Sequence, residues 1–107
     1  MKYKVIIDPI AKSDLKEIFD YVVSTDGLQS ANELSDKLEA TCSKLEKFLE
    51  RGHTLLELKQ TGIKSYLEAH YKPYRIIYEI DKNLVYIHAV IDGRRNIVEV
   101  LSNRLLR

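Results

Sequence analysis

The chain has 107 residues, enough for one domain with a single core and no staples. Its 17 Lys/Arg against 16 Asp/Glu leave a net charge of +1, which excludes a general nucleic-acid coat protein. One cysteine excludes an internal disulfide framework, and the absence of a signal-like or membrane-spanning apolar run makes a soluble, cytoplasmic protein the expectation.

Lys2 to Ile7 reads as a short strand with Val5, Ile6 and Ile7 apolar. Asp8-Pro9 opens a helix, because Asp8 can cap free amides and Pro9 suits a first helical position that needs no donor. Ala11, Leu15, Ile18, Phe19 and Val22 fall on one face of that helix, and Thr25-Asp26-Gly27 breaks it. A second helix is expected from about Ser30 to Arg51. Ala31, Leu34, Leu38, Cys42, Leu45, Phe48 and Leu49 mark its apolar side, and Gly52 sits at its C-terminal cap. Two such helices should pack as an antiparallel hairpin. Residues 53–65 read as a loop, with a helical turn at Leu55–Leu58.

Tyr66 to Tyr71 is a strand, and Lys72-Pro73 a turn. Tyr74–Ile80 and Leu84–Ile91 then flank Asp81-Lys82-Asn83, which is a hairpin signal. Leu84–Ile91 is apolar on both faces and belongs in the sheet interior. Ile97–Leu106 has helical spacing and should fold back on the domain. The order β-α-α-β-β-β-α predicts a single α+β domain over 1–107, an antiparallel sheet covered on one face by a helical hairpin.

Charge is unevenly spread. Residues 1–50 hold 7 Lys/Arg against 10 Asp/Glu, residues 51–107 hold 10 against 6, and all six arginines lie in the second half. Arginine's planar fork of donors suits phosphate and carboxylate. Arg75 shares a strand face with Ile77 and Glu79, and Arg94 and Arg95 follow the next strand at Gly93. On an open sheet face these cations could converge on a phosphodiester; the plainer alternative is an Arg–Glu pair within the sheet plus a basic turn. His53, His70 and His88 could serve as acid or base, but none has metal-ligand spacing. Cys42 lies on the apolar side of its helix and reads as core. The tyrosines read mostly as sheet packing, with Tyr66 and Tyr71 able to stack on a base if exposed.

The strand Y-R-I-I-Y-E-I-D at Tyr74–Asp81, the run V-Y-I-H-A-V-I-D-G-R-R at Val85–Arg95, and D-P-I-A-K-S-D-L-K-E-I at Asp8–Ile18 resemble the RelE/ParE superfamily of toxins over essentially the whole chain. The resemblance implies the toxin of a type II toxin–antitoxin (plasmid stabilisation) module, held in a hetero-oligomer by a cognate antitoxin. RelE-like members cut messenger RNA on the ribosome; ParE-like members poison DNA gyrase. By the same resemblance, Arg75 and Arg95 match the catalytic arginines of the nucleases. Arg94, Lys59, Lys64, His88 and Arg104 would then line a target-binding surface. A nuclease of this type uses the RNA 2′-hydroxyl as nucleophile and implies no metal and no cofactor. The tyrosine of the RelE-like enzymes would fall near Leu101 and is absent, which places the chain nearer ParE. The alternatives are a RelE-like ribosome-dependent endoribonuclease and a degenerate toxin that only binds antitoxin.

Overall fold

The computed structural model describes residues 3–45, 53–54 and 66–105. In chain order these form β1 (Lys4–Ile7), α1 (Pro9–Asp26), α2 (Leu28–Lys44), β2 (His53–Thr54), β3 (Tyr66–Tyr71), β4 (Tyr74–Asp81), β5 (Leu84–Asp92) and α3 (Ile97–Leu105). The expected order is present with one addition. His53 and Thr54, read from sequence as loop, pair with Glu68 and Leu67 as a two-residue edge strand. The helical turn expected at Leu55–Leu58 lies outside the described residues.

The sheet runs β1-β5-β4-β3-β2. Pairing is antiparallel from β2 to β5, as expected, but β1 joins β5 in parallel, with Val5 opposite Val85 and Ile7 opposite Ile87. The sheet is therefore mixed. Most of the chain separates β1 from β5, so no tight turn forces the antiparallel sense, and the intervening elements act as a crossover.

Local chemistry sets the helix ends. The Asp8 carboxylate accepts the Ile10 amide at 2.8 Å, with Pro9 at the first helical position. Gly27 takes φ 97°, which favours glycine, and donates to the carbonyls of Val22 and Val23. It both ends α1 and precedes α2, so α2 starts two residues before Ser30. The expected continuation of α2 to Arg51 and the cap at Gly52 lie outside the described residues.

Two apolar layers sandwich the sheet. Ala11, Leu38, Cys42 and Leu45 of the helical hairpin pack on Tyr74, Ile76, Tyr78, Val85, Ile87 and Val90. On the opposite face α3 lays Ile97 and Leu101 over Ile77, Ala89 and Ile91. A register shift between Ile77 and Tyr78 makes this possible. Ile77 pairs with Ala89 but Tyr78 with Ile87, so His88 is an extra residue on β5. The bulge moves Val90 to the hairpin side and leaves Ala89 and Ile91 under α3, which accounts for a strand apolar on both sides. The face carrying Arg75 is thus not open, as the sequence suggested, but partly roofed by the last helix.

Asp81 and Leu84 pair directly, leaving Lys82 and Asn83 as the hairpin turn. The left-handed residue there is Lys82, at φ 56°, rather than Asp81 or Asn83. That conformation costs a side-chain-bearing residue about 1–2 kcal/mol, offset here by eight paired positions behind it.

Candidate functional site

Arg75 leaves β4 on the face shared with Ile77 and Glu79, beside His70 of β3. Its guanidinium does not pair with Glu79. It pairs with Glu68, whose other carboxylate oxygen meets the His70 ring Nε2. Glu68 is 6% exposed, and the Arg75 side chain 17%. A pair this far from water keeps most of its mutual attraction. The plainer sequence alternative, an Arg–Glu pair within the sheet, is what forms, but with a glutamate one strand over.

Gly93 sits directly behind Arg75. Its amide donates to the Pro73 carbonyl at 2.7 Å. A Cβ there would lie 2.8 Å from that oxygen and 3.4 Å from Arg75 Cδ. Only glycine lets the end of β5 lie so close to the β3–β4 connection and the Arg75 stem. Glu68, His70, Lys72, Pro73, Arg75 and Gly93 line a shallow cleft at this corner.

The two arginines after Gly93 differ. Arg94 folds back on Asp92, with Nε donating at 3.0 Å and its backbone amide at 2.9 Å to the same carboxylate oxygen. That contact holds the Asp92 carboxyl below the usual carboxylate range. The side chain is otherwise in water, 77% exposed, and the pair is a weak surface one. Arg95 is exposed, and its guanidinium has no ion-pair partner among the described residues. It lines a groove with Tyr21, Tyr74 and Arg94 between α1 and the end of β5. Tyr21 is 64% exposed there.

The remaining expected residues go elsewhere. Arg104 reaches from α3 to Asp14 on α1, its two terminal nitrogens donating to the two carboxylate oxygens at 2.7 Å each. The same Asp14 accepts the Val90 amide at 3.0 Å, at the stretch of β5 that runs past the end of β1. Asp14 raises the Arg104 pKa and so keeps it charged. Arg104 is therefore engaged inside the fold rather than presented to a target. Asp14 has no sequence signal: it sits one helical turn after Ala11 and reads as a solvated aspartate.

His88, the bulge residue, meets Glu79 at 3.0 Å and lies between the Tyr66 and Tyr86 rings at 5.1 and 4.9 Å. Tyr86 donates its hydroxyl to Asp8, which lowers the Asp8 pKa. Cys42 is buried, and desolvation pushes its thiol up to about 11, so it carries no thiolate near neutrality. Lys59 and Lys64 lie outside the described residues. Among those described, no three His, Cys, Asp or Glu side chains could share a metal ion, and no helix is long and apolar enough to cross a membrane.

Of the expected cations that are described, Arg75, Arg94, Arg104 and His88 each face a carboxylate, and Arg95 faces none among the described residues. Leu101, on α3 at the position nearest the missing tyrosine, is 1% exposed against Ile77, Ala89 and Ile91 of the sheet, so no side chain there could reach a bound strand without leaving the core.

Comparison with solved structures gives the same architecture. The chromosomal ParDE toxin–antitoxin system of P. aeruginosa matches with a TM-score of 0.71 at 13% identity, over 85% of this chain and 96% of that one. The RelBE2 toxin–antitoxin complex of Mycobacterium tuberculosis matches with a TM-score of 0.59 at 22% identity, over 86% and 92%. At these identities the likeness establishes the fold. No curated protein sequence matches significantly. The family model for the ParE toxin of the type II toxin–antitoxin system parDE matches residues 5–97. With that model spanning most of its length, the chain belongs to the ParE toxin family.

Proposed function

We propose that the protein inhibits growth by binding DNA gyrase, as a ParE-like toxin, and does not cleave messenger RNA. The observation that carries this reading is the state of Arg75. A nuclease of this fold needs that arginine free to meet phosphate charge as it develops. Here its fork already closes on a buried carboxylate. The buried Leu101 supports the same reading, because the expected position for an aromatic acid or base is spent on packing.

In this reading Arg95 and Arg94, with the exposed Tyr21 beside them, form the target-facing surface. Arginine and tyrosine are the residue types that carry binding energy at protein interfaces. Arg75 instead serves the fold. A cognate antitoxin holds the toxin in a hetero-oligomer, a reading supported by the RelBE2 structure, which is a toxin–antitoxin complex, and by the ParDE structure, which comes from a toxin–antitoxin system.

The test is induced expression with and without the neighbouring antitoxin gene. Growth arrest relieved by the antitoxin is expected. Arg95→Ala should abolish arrest while the protein still melts like the wild type. Arg75→Ala should lower the melting temperature. Full toxicity in folded Arg95→Ala would refute the assignment of the surface. Absence of arrest by accumulated, folded wild type would favour a degenerate, antitoxin-binding remnant.

A further inference from the structure

β1 pairs with β5 only as far as Ile7 opposite Ile87, and the chain then turns into α1. Beyond that point no described strand covers the outer edge of β5. Three hydrogen bonds fix which way the backbone groups point there. Gly93 donates to the Pro73 carbonyl, so Ala89, Ile91 and Gly93 turn theirs toward β4. Val90 donates to Asp14, and the Asp92 carbonyl accepts from the Arg95 amide, so Val90 and Asp92 turn theirs outward. That satisfies the Val90 amide and the Asp92 carbonyl. The Val90 carbonyl and the Asp92 amide face the same way and have no partner among the described residues. Val90 is 3% exposed, and a buried backbone group is nearly always paired in a working structure.

Val90 and Asp92 line the groove that α1 walls with Glu17, Ile18 and Tyr21. One acceptor followed by one donor two residues on is the pattern that a single residue of a parallel strand closes. Its N–H meets the first group and its C=O the second. β1 makes the same contact lower down, where Lys4 lies opposite Leu84 and donates to the Asn83 carbonyl. A phosphodiester cannot close the pair, because it has no donor for the Val90 carbonyl; a peptide has both groups. Side-chain charge adds to this. Arg94 is held by Asp92 and Arg104 by Asp14, while Arg95 lines the groove with no carboxylate partner among the described residues. We propose that an extended segment of the target protein docks here. It adds a short parallel strand to β5 opposite Ile91 and lays an acidic side chain on Arg95. The inference rests on the reading that the target is gyrase, and it specifies the grip as protein backbone plus a carboxylate rather than DNA.

Purified toxin is titrated with purified gyrase in the absence of DNA by biolayer interferometry. At saturation, amide exchange of the toxin is read residue by residue by mass spectrometry with electron-transfer fragmentation. The Asp92 amide should exchange at least about tenfold more slowly in the complex. The Ile91 amide, bonded within the sheet, should be slow in both states. Arg95→Ala should weaken binding about tenfold, the worth of one charge-assisted contact. Arg95→Glu should weaken it further, because it meets the acidic side chain with like charge.

An Asp92 amide that stays fast in the saturated complex would overturn the docking and leave the gyrase reading standing. Wild-type affinity in Arg95→Glu would overturn the carboxylate contact. Binding that appears only when DNA is added, with Asp92 still fast, would overturn the docking in favour of a phosphate on Arg95. No binding to gyrase with or without DNA would sink the gyrase reading, and the docking with it.

Discussion

Asp14→Ala should be the most damaging single truncation on α1. Asp14 is 6% exposed and accepts three hydrogen bonds, one from Val90 at 3.0 Å and two from Arg104 at 2.7 Å. Val90 is 3% exposed, so water does not readily replace the lost acceptor. An orphaned buried amide costs about 1–3 kcal/mol. The Arg104 side chain is 22% exposed, so water can recover part of its loss, and its unpairing adds about 1 kcal/mol. The sum is about 3 kcal/mol, or a fall of roughly 15 °C in melting temperature for a domain of this size. Asp14→Asn keeps an acceptor for the amide and should lose about half as much. In an Arg104→Met background the Asp14→Ala cost should shrink by about 1 kcal/mol, the coupling of the pair. Urea unfolding of the wild type and the four variants measures these terms. A loss under about 1 kcal/mol for Asp14→Ala would refute the view that this carboxylate pins α3 and the β5 edge to α1.

Gly93→Ala should cost about 1–3 kcal/mol, read as a lower urea midpoint, because its Cβ would lie 2.8 Å from a backbone carbonyl that cannot swing away; an unchanged midpoint would mean that the two segments part easily. The Asp8 pKa is lowered chiefly by Tyr86. A depressed carboxylate stabilises the fold above its unfolded pKa of about 3.9 and loses that contribution as pH falls through the folded value. Tyr86→Phe should therefore flatten the loss of stability as pH falls below about 4 in acid titrations followed by circular dichroism. Cys42, raised to about 11 and 2% exposed, should resist iodoacetamide at pH 8 in the folded protein and react at once in denaturant.

The elements that depend on near neighbours were legible in the sequence. The Asp8-Pro9 start, the apolar stripes of α1 and α2, and the β4–β5 hairpin follow from spacings of a few residues. The pairing of β1 with β5 was not legible, because strand sense across a long connection has no local signal. The bulge at His88 was hidden for a related reason: an uninterrupted apolar run does not show where its two faces exchange.

The site was read only in part. Arg75, Arg94 and Arg95 stood out as arginines around a glycine at a strand end. Their partners did not. Glu68 is seven residues from Arg75, and Asp14 is 90 residues from Arg104. A carboxylate that is to be buried looks the same in sequence as one in water. Which cations stay available is decided by those carboxylates, so the functional set could not be separated from the structural set before the chain was folded.

The central claim is that this toxin meets gyrase and leaves messages intact. The most direct measurement is a pair of readouts on one culture after induction: gyrase-linked DNA breaks, and the 5′ ends of translated messenger RNA. Breaks that accumulate with no new ends inside codons are the expected result. New ends within codons, with DNA intact, would contradict it and return Arg75 to the catalytic role.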